Sequence, residues 1–248
     1  MRKRFLSLLA AAAVAAAGLT AATAVTTPAP ASAASCYEWS STLSRGDSGS
    51  DVKELQIRVA GWVSHGEHLV IDGVYGPATE AAVKRFQSGY GLGADGVAGP
   101  QTFSKIYDLT SSDCTPAHFS YSEFDDNCGA NNFNGGAVSA STAKENTRRV
   151  MWQLEAMRHK LGDRPIGITS GFRSYSCNSA VGGSSSSRHL YGETADMGIG
   201  ANVHSQCTLY HAAWKAGFTE ILGPGYSGHN DHVHVANDPS PFRSAPNC

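Results

Sequence analysis

The sequence is poor in charge and has no surplus of positive residues. Charged side chains make up 16% of its 248 residues, against roughly 25% in ordinary globular chains. The 21 Asp and Glu outnumber the 19 Lys and Arg. A nucleic-acid binder needs a basic footprint for phosphate, so that class is excluded. At 41% hydrophobic residues, the chain is too apolar for disorder driven by charge and low hydropathy. Beyond the N-terminus no apolar run reaches the roughly 20 residues that span a bilayer. No cysteine sits in a Cys-x-x-Cys pair, which removes the usual zinc-finger spacings. Neither Gly-x-Ser-x-Gly nor Ser-x-x-Lys followed by Lys-Thr-Gly occurs, so two serine-hydrolase layouts are missing, and the serines 184–187 read as a flexible loop.

What is present begins with a three-part leader. Arg2-Lys3-Arg4 precedes an apolar run from Phe5 to Leu19, and Ala31-Ser32-Ala33 closes the segment. This is the layout of a secretory signal peptide covering 1–33, with cleavage after Ala33. Thr20, Thr23, Pro28 and Pro30 interrupt it too early for a membrane anchor. Without Arg2, Lys3 and Arg4 the chain has 16 basic against 21 acidic residues, a charge of −5. A soluble product outside the cell is expected. Its six cysteines, an even number in an exported chain, read as three disulfides. Of fifteen possible pairings, the consecutive order is favoured, because each pair then brackets a unit: Cys36 with Cys114, Cys128 with Cys177, Cys207 with Cys248.

Between Cys36 and Cys114 an octapeptide repeats. Asp72-Gly73-Val74-Tyr75-Gly76-Pro77-Ala78-Thr79 returns 23 residues later as Asp95-Gly96-Val97-Ala98-Gly99-Pro100-Gln101-Thr102. Asp-Gly makes a turn in which glycine takes positive φ, and Gly-Pro opens a helix, because proline at the first helical position loses only an unpartnered N–H. Stripes of Val83 with Phe86, and Phe103 with Ile106 and Tyr107, follow the two copies. An earlier helix from about residue 51, capped by Ser50 or Asp51, shows Val52, Leu55 and Val59 on one face. Three short helices make a small bundle that profits from a disulfide across its ends. From Leu43 to Leu109 these residues, with Gly46-Asp47-Ser48-Gly49, Leu55-Gln56, Ala82-Val83 and Phe86-Gln87, resemble the three-helix peptidoglycan-binding domain of bacterial cell-wall hydrolases. The resemblance implies the bacterial wall as ligand.

The remainder, 115–248, holds eight of the ten histidines. A long helix is predicted over 143–161, with Thr142 and Glu145 as a capping box and Val150, Leu154, Met157 and Leu161 along one face. Ile166 and Ile168 predict a strand ending at Ser170-Gly171-Phe172-Arg173. A helix over 205–216 and strands near 220–222 and 232–235 follow. Helices with short strands and Gly/Ser-rich connections imply an α+β fold, here a helical bundle followed by an α+β domain with a short antiparallel sheet.

Its chemistry lies in Ser187-Arg188-His189-Leu190-Tyr191-Gly192-Glu193-Thr194-Ala195-Asp196 and His229-Asn230-Asp231-His232-Val233-His234. Two imidazoles and a carboxylate suit zinc and leave a fourth position for water. His189 and Asp196 are too far apart to share a helix face, so a loop or strand must bring them together. Small Gly192 and Ala195 permit close backbone approach. His232 and His234 point to the same side of a strand.

The order Ser-x-His-x-x-Gly-x-x-Ala-Asp, then Asp-His-x-His, resembles peptidase family M15, the zinc D-Ala-D-Ala carboxypeptidases and related cell-wall peptidases. Ser170-Gly171-Phe172-Arg173-Ser174, Val181-Gly182-Gly183 and Phe119 to Phe124 agree. The resemblance covers 119–237 and implies one zinc ion held by His189, Asp196 and His234, with Asp231 moving the proton and Arg173 near the substrate. Strand parity makes His232 a rival base and His229 a third candidate. The expected activity is removal of the terminal D-Ala from stem peptides by metal-assisted water attack, in a secreted, wall-associated monomer. An endopeptidase acting within the stem or a crossbridge, and a non-catalytic wall-binding protein, are the alternatives.

Overall fold

In a computed structural model the described residues are 36–125 and 132–248. The expected export segment and Cys128, with its pairing to Cys177, lie outside them. Cys36–Cys114 and Cys207–Cys248 are bonded as expected.

The first three helices, α1 (Ser50–Val59), α2 (Pro77–Gly89) and α3 (Pro100–Asp108), form the bundle, with Pro77 and Pro100 at the predicted helix starts. Val52, Leu55, Val59, Val83, Phe86, Phe103 and Ile106 are buried in its core. The N-cap of α1 is not Ser50 or Asp51 but Gly49, at φ 121°, a conformation open to glycine; its N–H is bonded to the carbonyl of Gly73. The repeat has a structural counterpart. Gln56 donates to Asp72 (2.8 Å), the Val74 carbonyl (3.1 Å) and Thr79 (3.1 Å), and accepts from the Gly73 N–H at 2.8 Å. Gln87 does the same with Asp95, Val97, Thr102 and Gly96 at 2.8, 3.0, 3.1 and 2.9 Å. Each glutamine thereby satisfies buried polar groups of a turn that has no ladder to pair with.

The second region contains α4 (Tyr121–Phe124), α5 (Ala140–Lys160), α6 (Tyr175–Ala180), a 3₁₀ turn (Arg188–Tyr191), β1 (Thr194–Gly198), α7 (Gln206–Trp214), β2 (Glu220–Leu222), β3 (His232–Ala236) and β4 (Phe242–Ser244). Helix α5 begins three residues before the predicted start. Ser139, in extended backbone, accepts from the Thr142 N–H, so the expected Thr142/Glu145 box does not form; Glu145 instead pairs with Arg148. The predicted strand at 166–170 is reduced to one bridge, Ser170 with Asp196. Gly167 exchanges hydrogen bonds with the Asn202 side chain, which withdraws it from any ladder. The sheet has the order β1-β3-β2-β4. Its first two pairings are antiparallel, as expected; the third, β2 with β4, is parallel.

Helix α5 serves both cores. Val150, Leu154 and Met157 pack into the second region, while Trp152 and Ala156 belong to the bundle's core. Polar links reinforce the joint: Arg148 to Glu54 at 3.0 Å, Arg149 to the Leu69 carbonyl at 3.0 Å, and Lys160 to the Gly61 carbonyl at 2.6 Å. No described helix is long and apolar enough to cross a membrane.

Candidate metal centre

Antiparallel register explains how residues 38 apart meet. Asp196 of β1 sits directly opposite His234 of β3, so both side chains leave the same face, and His232 follows two residues earlier on that face. His189 arrives from the 3₁₀ turn, which ends at Gly192 with φ 70°. A Cβ at Gly192 would lie 2.4 Å from the Ala143 carbonyl, so the close approach to α5 that sets the turn requires glycine.

One ligand atom from each of His189, Asp196 and His234 lies within 4.8 Å of the others, and all three residues are buried. His189 Nε2 is 3.3 Å from Asp196 Oδ2, and His234 Nδ1 is 2.8 Å from Asp196 Oδ1. The outer nitrogens are also partnered. His189 Nδ1 faces the Gly171 carbonyl at 2.5 Å, and His234 Nε2 faces Glu220 at 3.3 Å and Thr194 at 3.3 Å. Those partners hold the outer nitrogens, so that with a cation bound His189 Nε2 and His234 Nδ1 would turn their lone pairs inward. Two imidazole nitrogens and a carboxylate oxygen at such spacings fit a tetrahedral zinc ion with one position left over.

The electrostatics agree. Burial would raise Asp196, but His189 and His234 hold it well below the usual carboxylate range. Burial would lower His234, yet hydrogen bonds to Asp196 and Glu220 outweigh it and raise the ring to about 9. His189 is lowered, chiefly by burial. A field that keeps a carboxylate ionised and favours positive charge between the rings suits a cation.

The remaining predicted residues surround this point. His232 Nε2 lies 3.8 Å from Asp196 Oδ1, and its Nδ1 is 2.8 Å from Asp231 Oδ1. The Asp231 carboxylate is 84% exposed and held below its usual range mainly by that hydrogen bond. His229 is on the rim, its ring 4.8 Å from His232 and 5.7 Å from His234, with its pKa lowered chiefly by burial. Arg173 donates to Asp196 Oδ2 at 2.7 Å and to Ser170 at 3.0 Å. All open into one cleft of about 750 Å³, which Gly182, Gly183 and Ser187 also line. Sequence reasoning missed Glu220 and Thr194 behind His234, and Arg188, Tyr226 and Asp238 on the walls. Only register, which places Glu220 and Leu222 of β2 beside Ala236 and His234, could have brought Glu220 into view.

A mononuclear His-Asp-His centre at the edge of a small sheet, open to a peptide-sized cleft and flanked by an imidazole–carboxylate pair, defines a metallohydrolase. Residues 117–236 match the family model Peptidase M15, and 48–106 match that of a peptidoglycan binding domain. The zinc D-Ala-D-Ala carboxypeptidase of Streptomyces albus G is 58% identical over 213 residues, covering 86% of this chain and 82% of that one. The chain belongs to the peptidase M15 family. A probable N-acetylmuramoyl-L-alanine amidase of Bacillus licheniformis is 62% identical over 39 residues, 16% of this chain and 11% of its own. Among solved structures, a peptidoglycan-binding protein from Clostridioides difficile is 36% identical, with 30% of this chain and 46% of that chain covered and a TM-score of 0.27.

Proposed function

We propose that the protein is a zinc-dependent D-alanyl-D-alanine carboxypeptidase of the bacterial cell wall, removing the terminal D-Ala from peptidoglycan stem peptides. Residues 1–33 direct its secretion and are cleaved after Ala33. Residues 34–114 form the wall-binding domain and 115–248 the peptidase, acting as a monomer. The observation that carries the reading is the convergence of His189, Asp196 and His234 in an open cleft.

His189, Asp196 and His234 would hold the zinc, which supplies Lewis acidity to polarise the scissile carbonyl and to acidify a water near neutral pH. His232 presents Nε2 to the cleft, takes the proton and returns it to the leaving amine of D-Ala. Asp231 holds the ring through Nδ1 and stabilises its protonated form. Arg173 offers its guanidinium to the negative charge developing on the carbonyl oxygen. The supporting geometry is the short Asp231–His232 contact together with the position of Arg173 beside Asp196.

Mass spectrometry of a pentapeptide ending in D-Ala-D-Ala tests this. One residue of D-Ala should be released, the reaction should stop with a chelator and resume with zinc. Cleavage within the stem would make the protein an endopeptidase, and no release with zinc present would leave only wall binding.

A further inference from the structure

One wall of the cleft has no buried side chain of its own. Residues 224–230, between β2 and β3, bring Tyr226, Ser227, Gly228 and His229 to the cleft, yet each residue of this segment is exposed or half-buried. Its own hydrogen bonds are local. The Tyr226 N–H donates to the Gly223 carbonyl at 3.0 Å, the His229 N–H to the Tyr226 carbonyl at 3.0 Å and the Gly225 N–H to Asn230 Oδ1 at 2.8 Å. A segment with so little burial keeps a fixed place only through contact with something better anchored.

The C-terminal segment supplies that contact. The Gly223 N–H donates to the Ser244 carbonyl at 2.9 Å, and the Asn247 N–H donates to the Pro224 carbonyl at 3.0 Å. Gly225, at φ 92°, lets Asn247 approach so closely that a Cβ there would lie 2.9 Å from the Asn247 nitrogen. The Tyr226 ring meets Phe242 of β4 with centroids 5.8 Å apart, and His229 with centroids 5.3 Å apart. The segment is itself secured at both ends. β4 pairs with β2, and Cys248 is bonded to Cys207 of α7, whose Leu209, Tyr210, Ala212 and Ala213 are buried in the core. Support runs from the core through α7 and the disulfide to Asn247, and from there to the wall.

We infer that residues 242–248, closed by the Cys207–Cys248 bond, are a strap that positions the Tyr226–His229 wall for a bound peptide, with Phe242 acting through Tyr226 and the disulfide through Pro224. The inference rests on the reading of the cleft as a peptide site. The metal ligands do not depend on the strap: His189 and Asp196 belong to the 3₁₀ turn and β1, and His234 lies in β3, which is paired on both sides. Loosening the strap therefore changes how well the peptide is held and spares the metal and the chemical step.

The test uses the full chain with two variants, Cys207→Ser/Cys248→Ser and Phe242→Ala. A displacement of about 1 Å caused from a distance can cost roughly 10²-fold, so a partial loosening is expected to raise KM for a D-Ala-D-Ala pentapeptide by roughly five- to ten-fold. A loss of binding alone leaves kcat within about two-fold, and zinc affinity in competition with a chelator should stay unchanged. Phe242→Tyr, which keeps the ring, should restore KM. Amide hydrogen exchange should quicken at 224–230 in both loosened variants. An unchanged KM in either folded variant, even with lowered thermal stability, would reduce the strap to a structural role and overturn the inference. A fall in kcat accompanied by zinc loss would overturn it too, by moving the supported element to the metal centre. Should the double variant not fold, Phe242→Ala decides. If the unsubstituted protein releases no D-Ala, the proposed function fails. Hydrogen exchange then decides the strap on its own, faster exchange at 224–230 supporting it and unaltered exchange overturning it.

Discussion

The Asp231 carboxylate lies 2.8 Å from Nδ1 of His232, which leaves the ring's other nitrogen turned toward the buried Asp196. The pairing resolves the parity problem in the sequence: Asp231 precedes β3 and stays mostly exposed, while His232 shares the face of His234. This geometry supports the proposal that the imidazole transfers the proton, with the carboxylate orienting it. His232→Ala should lower kcat by roughly 10² to 10⁴ with zinc content unchanged, and Asp231→Asn should cost less. The opposite ranking in steady-state kinetics would transfer the base to Asp231.

Glu220 stands behind the metal centre. Its carboxylate is 3.3 Å from His234 Nε2, the nitrogen that must stay protonated for Nδ1 to face inward. Removing such an outer partner typically weakens metal binding by about 10- to 100-fold. Glu220→Ala should show that loss in competition with a chelator of known affinity, and Glu220→Gln, which keeps an acceptor, should lose less. Unaltered zinc affinity in both would show that Thr194 alone fixes the tautomer.

What the sequence made legible was local or periodic. The repeat, the helix starts at Pro77 and Pro100, the α+β class and the set His189, Asp196 and His234 all follow from spacing or resemblance. The misses have tertiary causes. Ser139 rather than Thr142 caps α5, because the extended backbone before the helix decides which hydroxyl is available. Residues 166–168 alternate like a strand, but Asn202 takes the hydrogen bonds of Gly167. Glu220 is invisible until β2 is in register with β3. Trp152 and Ala156 occupy the face of α5 opposite Val150 and Leu154, and nothing in the periodicity says that this second face meets another domain.

The joint between the domains contains an acid-sensitive ion pair. Burial would raise Glu54, but Arg148 and Arg58 outweigh it and hold its pKa below the usual value. A carboxyl depressed in the folded state stabilises fully above its unfolded pKa, near 4.3, and loses that contribution as pH falls through the lower folded value. Glu54→Gln should cost about 2–3 kcal/mol at neutral pH. The gap between the two proteins in urea unfolding should close as pH drops below about 4. A gap that stays constant down to pH 3 would mean that the contact contributes through packing alone.

Because α5 lends Trp152 and Ala156 to the bundle and Val150, Leu154 and Met157 to the peptidase domain, the two regions should unfold together. Gly61 tests this at the seam. A Cβ there would lie 2.5 Å from Ala156 Cβ and 2.9 Å from Gln153 Cα, and neither can yield without moving the α5 backbone. Gly61→Ala should therefore destabilise by about 1–3 kcal/mol, as overpacking of a tight core does. Calorimetry should show one transition moving to lower temperature, with D-Ala release lost over the same range. Two transitions, of which Gly61→Ala shifts only the first, would mean that the bundle melts independently and that the shared helix does not couple the domains.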